Sequence, residues 1–88
     1  MFIEDNLNNK SNQVDSPEKF IGINGGNTED VSIELNPRYN FYGFRAKEDN
    51  AQIHLIAQDI DTTQGIAIFR IYNSGSNTAN VAAIRKSY

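Results

Sequence analysis

Few side chains in this sequence could carry out chemistry, and His54 is the first to consider. It is the only histidine, and the chain has no cysteine. A nucleophilic triad or a histidine-ligated metal site would therefore have to be built around His54. The residue shares its predicted strand face with Gln52, which is typical of a side that faces solvent. We interpret His54 as a surface residue and predict no catalytic residue and no enzymatic activity.

Two carboxylates and one glycine-rich run are the other candidate ligand sites. Asp59 and Asp61 stand beside Thr62 and Thr63, a combination that could form a weak calcium site. Strand alternation lets both aspartates face solvent next to a turn, so we predict no metal and no cofactor. The run Asn24–Asn27 could offer backbone N–H groups to an anion. It lacks the helix and the lysine of a phosphate-binding loop, and we interpret it as a turn.

Four aromatic residues lie within residues 39–44, flanked by two arginines. This grouping would suit single-stranded nucleic acid, a sugar or a protein partner. On a strand, Tyr42 and Phe44 would point to one side, and Phe41 and Gly43 to the other, so one pair would belong to the core. Core packing or protein contact is favoured. The formal net charge of −3 also argues against nucleic acid as a partner.

Short alternating apolar runs, separated by turn signals, predict the fold class. We expect an all-β fold, a small antiparallel β-sandwich or barrel of about six to seven strands. The 88 residues suffice for one domain. Pro17 divides the chain into an extended N-terminal arm, residues 1–17, and a β-sandwich domain, residues 18–88. No apolar run is long enough to span a membrane, and no secretory signal is recognised, so synthesis in the cytoplasm is expected.

The strongest pair of predicted strands lies in residues 65–88, joined by the link 73–77. We predict that they form a β-hairpin around which the domain is organised. In the first strand Ala67, Phe69 and Ile71 share one face, while Ile66, Ile68, Arg70 and Tyr72 share the other. A two-layer sandwich buries only one face of such a strand. The other should meet the arm, a second copy or a scaffold.

Two weaker predictions complete the strand assignment. Residues 20–23 and 31–35 should form a second hairpin around the turn Asn24–Asn27. Residues 51–60 alternate, with Ile53, Leu55 and Ala57 on one side, and predict a half-buried strand.

The arm and the first of the two strong strands together form the predicted partner-binding surface. Residues 1–34 hold seven acidic and two basic residues, which could steer this end toward a basic surface or simply keep it solvated. The arm also carries scattered apolar side chains, which a solvated tail does not need. The predicted partner-binding residues are Phe2, Ile3, Leu7, Val14, Ile66, Ile68 and Tyr72.

Residues 68–84, IFRIYNSGSNTANVAAI, resemble small virion proteins of tailed bacteriophages. The shared pattern is an apolar strand with an arginine, a Gly/Ser/Thr-rich link, and Thr-Ala-x-x-[Val/Ile]-x-Ala-[Leu/Ile] near the C-terminus. Residues 20–33 resemble that family's early glycine-rich turn and alternating strand. The link at 73–75 is less threonine-rich than the pattern, and residues 39–65 do not match it.

The resemblance implies a β-sandwich located on the virion, as a capsid decoration or cement protein that binds at subunit junctions as a homo-oligomer. Its implied partners are other copies of itself and the major capsid protein or another virion protein. The lack of a long apolar run and the negative net charge predict no membrane and no nucleic acid as partners. The alternative is a small β-domain binding module, a carbohydrate- or protein-binding regulator. That alternative would explain the aromatic residues but not the arm.

Overall fold

The computed structural model describes residues 19–87, which form two antiparallel three-stranded sheets and no helix. The strands are β1 (Ile21–Ile23), β2 (Thr28–Glu34), β3 (Phe41–Ala46), β4 (Ile53–Asp61), β5 (Ile66–Asn73) and β6 (Ala79–Lys86). The first sheet has the order β1-β6-β3 and the second has the order β2-β5-β4. The predicted all-β class is confirmed. The predicted arm, which includes Phe2, Ile3, Leu7 and Val14, lies outside the described residues.

The predicted hairpin between β5 and β6 is wrong, although both strands exist. β5 lies at the centre of the second sheet and β6 at the centre of the first, so the link between them crosses from one sheet to the other. The two strands stack face to face instead of pairing edge to edge. Stacking lets their most apolar faces, led by Phe69, Ile71 and Val81, bury each other in one core.

The predicted second hairpin is also wrong. β1 pairs with β6 and β2 pairs with β5, so the turn Asn24–Asn27 is another crossing between the sheets. Asn27 N donates to Asn24 O over 3.0 Å, and Gly26 takes a φ of 83°. Of the described strands, only β4 and β5 are both consecutive and paired.

The core forms between the two central strands and closes around their inward faces. Its buried members are Ile23, Val31, Ala67, Phe69, Ile71, Ala79, Val81 and Ala83. Tyr42 and Phe44 pack against this cluster, with the rings of Phe44 and Phe69 centred 5.8 Å apart. The prediction that one aromatic pair belongs to the core is therefore confirmed.

β6 is buried on both faces. Ala82 and Ile84 point away from the core, opposite Arg45 and Gly43 of β3, yet neither is exposed to solvent. At Gly43 a Cβ atom would lie 2.9 Å from the ring of Phe41. The lack of a side chain at Gly43 therefore makes room for the Phe41 ring.

β4 is not the half-buried strand that the alternation predicted. A register shift between Leu55 and Ala57 turns Ala57 to the outward side, opposite Arg70, and brings Ile60 to the core side, opposite Ala67. β4 also forms the edge of its sheet, so most of its residues are exposed on both sides. A bulge of this kind cannot be seen in a pattern that assumes strict alternation.

Candidate protein interface

The outward face of the second sheet presents a row of apolar side chains along β5. Ile66, Ile68 and Tyr72 alternate there with the buried Ala67, Phe69 and Ile71, as the sequence predicted. All three outward side chains are half-buried. Because β5 is the central strand, strands on both sides supply the neighbours of this row.

Polar and acidic side chains from the two edge strands border the apolar row. The register places Glu34 and Asp61 on either side of Ile66, Ser32 and Asp59 on either side of Ile68, and Thr28 and His54 on either side of Tyr72. An apolar centre with a polar rim is the usual anatomy of a protein interface. Three of these six neighbours are carboxylates, so the rim is acidic at neutral pH.

An ion pair interrupts the row between Ile68 and Tyr72. Arg70 Nε donates to Asp30 Oδ1 over 3.0 Å, and Arg70 Nη2 donates to Asp30 Oδ2 over 3.4 Å. This bidentate contact with the carboxylate raises the pKa of Arg70 further above its usual range. Arg70 is the one cation that the described strands of this sheet place on the outward face, and Asp30 matches its charge within the chain. At one end of the rim, Arg85 Nη1 donates to Glu34 O over 2.6 Å.

His54 lies at the end of the same face and contacts a serine. Its Nε2 atom is 2.8 Å from Ser74 Oγ, and the Ser74 hydroxyl donates to Gln52 O over 3.1 Å. A serine hydroxyl has a single hydrogen, and Ser74 donates it to Gln52 O, so His54 Nε2 must itself donate to Ser74 Oγ. A histidine that activates a serine nucleophile does the opposite, because it accepts the hydrogen of the hydroxyl. The contacts instead fasten β4 to the β5–β6 link.

Asp61, one of the two carboxylates considered for calcium, closes the β4–β5 turn. Its Oδ1 atom accepts hydrogen bonds from Thr63 N and Gln64 N, and Gly65 completes the turn with a φ of 72°. Across residues 19–87, no three histidine or acidic side chains are grouped closely enough to hold a metal ion.

Arg45, one of the two arginines that flank the aromatic segment, lies with its guanidinium 5.3 Å from the ring centre of Phe20. The guanidinium of Arg85, on β6, lies 4.7 Å from the ring centre of Tyr39. Both contacts have the geometry of cation–π interactions. Two members of the group that resembled a nucleic-acid platform, Arg45 and Tyr39, thus make contacts within the domain.

Asn73 and its surroundings join two of the crossings between the sheets, β1–β2 and β5–β6. The buried Asn73 Nδ2 donates to Ile23 O and Asn77 O, both over 2.8 Å, and Oδ1 accepts from Gly75 N over 2.9 Å. Its backbone carbonyl accepts from Gly26 N over 2.7 Å. The end of β1, the turn Asn24–Asn27 and the β5–β6 link therefore all bond to one buried residue, Asn73.

A shallow polar cleft of about 110 Å³ opens beside Asn73. Glu48 lies on its rim and accepts from Asn80 N over 2.9 Å and from Asn80 Nδ2 over 2.6 Å. These hydrogen bonds lower the pKa of Glu48 below its usual value of 4.5. Drug-sized ligands occupy pockets of about 300–1,000 Å³, so this cleft has room for a few waters or a small polar group only.

A second group of exposed apolar side chains lies on β4, and the sequence did not predict it. Leu55 is 43% exposed, Ile56 is 55% exposed and Ile60 is 49% exposed. The run IHLIAQDID contains these residues, but the bulge decides which side each one faces. Without the bulge position, no signal in the sequence separates this strand from a half-buried one.

Of the predicted partner-binding residues, the structure brings Ile66, Ile68 and Tyr72 together on one face; the four in the arm lie outside the described residues. Within residues 19–87 there is no helix of the length and apolarity needed to cross a membrane. Comparison of the chain with protein families, with curated proteins and with solved structures finds no match.

Proposed function

We propose that this protein is a non-enzymatic structural protein that attaches to a protein partner through the outward face of its second sheet. The observation that carries the proposal is the apolar row of Ile66, Ile68 and Tyr72 with its acidic rim. A face of this composition is suited to contact with another protein, because its centre gains free energy on losing water while its rim sets the orientation.

The energetic case rests on the part of the row that is still open to solvent. Complete burial of one large apolar side chain contributes roughly 1.5–3 kcal/mol, and each of the three is already half-buried. The row can therefore contribute only a few kcal/mol to an association, from which the cost of association is subtracted. Lasting attachment then requires further contacts, such as several copies bound side by side.

The charge of the rim indicates the kind of partner. Glu34, Asp59 and Asp61 border the row, and the Arg70 charge is matched by Asp30. A partner surface with basic residues around an apolar centre would be complementary. The chain's net charge of −3 acts in the same direction over longer range.

The setting that suits these properties best is the surface of a bacteriophage particle. The resemblance of residues 68–84 to small virion proteins supports a capsid decoration or cement role, with other copies of itself and a capsid or other virion protein as partners. A decoration protein needs a compact body and contact surfaces, and it needs no catalytic group. The location on the virion is part of this proposal.

Two variants at directly opposed positions test the attachment face. Ile68 and Ser32 are cross-strand neighbours on the same face, so Ile68→Asp and Ser32→Asp add the same charge at nearly the same place. We expect Ile68→Asp to weaken binding to particles or to damage folding and oligomerisation, while Ser32→Asp changes each of them less. Circular dichroism separates loss of folding from loss of binding, and co-sedimentation with candidate virions measures attachment. Equal binding by the wild-type chain and a folded Ile68→Asp variant would contradict the proposal.

A further inference from the structure

β4 has the properties of an edge that pairs with another strand. It spans nine residues, and among the described strands it is paired only with β5. Leu55, Ile56 and Ile60 are about half exposed along it. Single exposed apolar residues are ordinary. An unpaired edge strand that exposes three of them is an arrangement that natural sheets usually avoid.

The register with β5 fixes the side to which each residue of β4 points. Leu55 lies opposite Ile71 and Ile60 opposite Ala67, so both are on the core side of the sheet. His54, Ala57, Asp59 and Asp61 are on the outward side, and Gln58 is on the core side at the middle of the strand. Ile56 lies at the register shift and has no opposite residue on β5.

We propose that β4 pairs antiparallel with β4 of a second copy, about a two-fold axis at Gln58. With Ile56 skipped as it is in the pairing with β5, Leu55 lies opposite Ile60 of the second copy on the core side. The two exposed side chains then cover each other, twice in the dimer. The two second sheets become one continuous sheet, and neither copy keeps a free β4 edge.

The positions of the carboxylates support this register over an axis at Asp59. The pairing sets His54 opposite Asp61 of the second copy, and Asp59 opposite Ala57, so no carboxylate faces another. An axis moved to Asp59 would put two aspartates directly opposite each other, which is destabilising. An axis moved to Ala57 would pair His54 with Asp59 and Ile53 with Ile60, but it would place the exposed Leu55 against Gln58. Only the axis at Gln58 sets the two exposed core-side residues, Leu55 and Ile60, against each other and keeps the carboxylates apart.

The bulge is compatible with this pairing. Bulges and acidic residues on edge strands often discourage association. In the symmetric pair each Ile56 falls opposite the step between Asp59 and Ile60 of the other copy, so two residues oppose one in the normal manner of a bulge. Each strand contributes one bulge, at equal distances from the axis.

This inference deepens the self-association part of the proposed function and rests on it for its biological meaning. Its test nevertheless needs only the purified full chain. A chain that dimerises through β4 but binds no particle would keep the inference and remove the virion proposal. A chain that stays monomeric but binds particles would remove the inference and keep the virion proposal.

Cysteine cross-linking gives the sharpest test, since the native chain has no cysteine. Directly opposed residues of antiparallel strands have Cα atoms about 4.5–5.5 Å apart, within the range of a disulfide. We expect Gln58→Cys to form a covalent dimer rapidly under mild oxidation. Ser32→Cys, at an exposed position of the other edge strand of the same sheet, is the matched control. Cross-linking of Gln58→Cys no faster than that of Ser32→Cys would overturn the proposal.

Sedimentation equilibrium tests the same register without a covalent bond. We expect the wild-type chain to dimerise, Ile60→Asp to weaken the dimer by at least about 100-fold, and His54→Asp by at least about tenfold. Ser74→Ala removes the internal partner of His54 and should leave the dimer within about twofold, as should Ser32→Asp. A wild-type chain that stays monomeric would overturn the proposal and assign the edge to a different protein or to residues 1–18 of the same chain.

Discussion

Replacement of Asn73 by alanine should destabilise the fold strongly. The amide is 1% exposed and makes three hydrogen bonds to backbone atoms of two separate crossings between the sheets. The Ile23 carbonyl that it satisfies belongs to a residue with no exposed surface. Alanine would leave that carbonyl without its amide donor, which costs about 1–3 kcal/mol.

The other two hydrogen bonds of Asn73 are partly open to water, and losing each of them costs about 0.5–1.5 kcal/mol. The expected total is therefore about 2–6 kcal/mol, a large share of the roughly 5–15 kcal/mol that stabilises a natural domain. Asn73→Asp should be at least as harmful. Its carboxylate would face the carbonyls of Ile23 and Asn77, and a buried charge without a partner is strongly disfavoured.

Urea unfolding, followed by circular dichroism or tyrosine fluorescence, measures these differences. Asn77→Ala is the matched control, because Asn77 is exposed and accepts from Asn73 through its backbone carbonyl, which alanine retains. The control should change the free energy of unfolding by no more than about 0.5 kcal/mol. A loss below about 1 kcal/mol for Asn73→Ala would refute the view that this amide holds the crossings together.

Three further predictions address other parts of the molecule. Hydrogen bonds from Asn80 lower the pKa of Glu48 in the folded chain. Its stabilising contribution is therefore present above the usual value of 4.5 and is lost as pH falls through the lower folded pKa. Glu48→Gln should reduce the loss of the free energy of unfolding at acidic pH, which urea unfolding at a series of pH values measures. Gly25→Ala would bring a Cβ atom within 2.5 Å of Gly75 O, so it should destabilise the fold by about 1–3 kcal/mol and lower the midpoint of thermal unfolding. Deletion of residues 1–15 should leave circular dichroism unchanged but weaken co-sedimentation with virions, and unchanged attachment would count against a role for the arm.

The sequence alone determined where strands form and which side each residue of β5 faces. The alternation in residues 66–72 is local, because successive side chains of any strand point to opposite sides. For that reason the inward set led by Phe69 and the outward set led by Ile68 are as predicted. The core position of Tyr42 and Phe44 follows from the same rule.

Only the tertiary structure decided which strands pair, and with that the shape of the surface. Edge-to-edge pairing and face-to-face stacking both bury apolar strands, and a short polar link is compatible with either, so the sequence did not distinguish a hairpin from a crossing. The choice depends on contacts between distant residues, such as the hydrogen bond from Asn73 to Ile23 O, which spans 50 positions. The bulge at Ile56 and the edge position of β4 are likewise set by pairing with β5. The exposed side chains of β4 therefore became visible only in the folded chain, because their exposure depends on strands far away in the sequence.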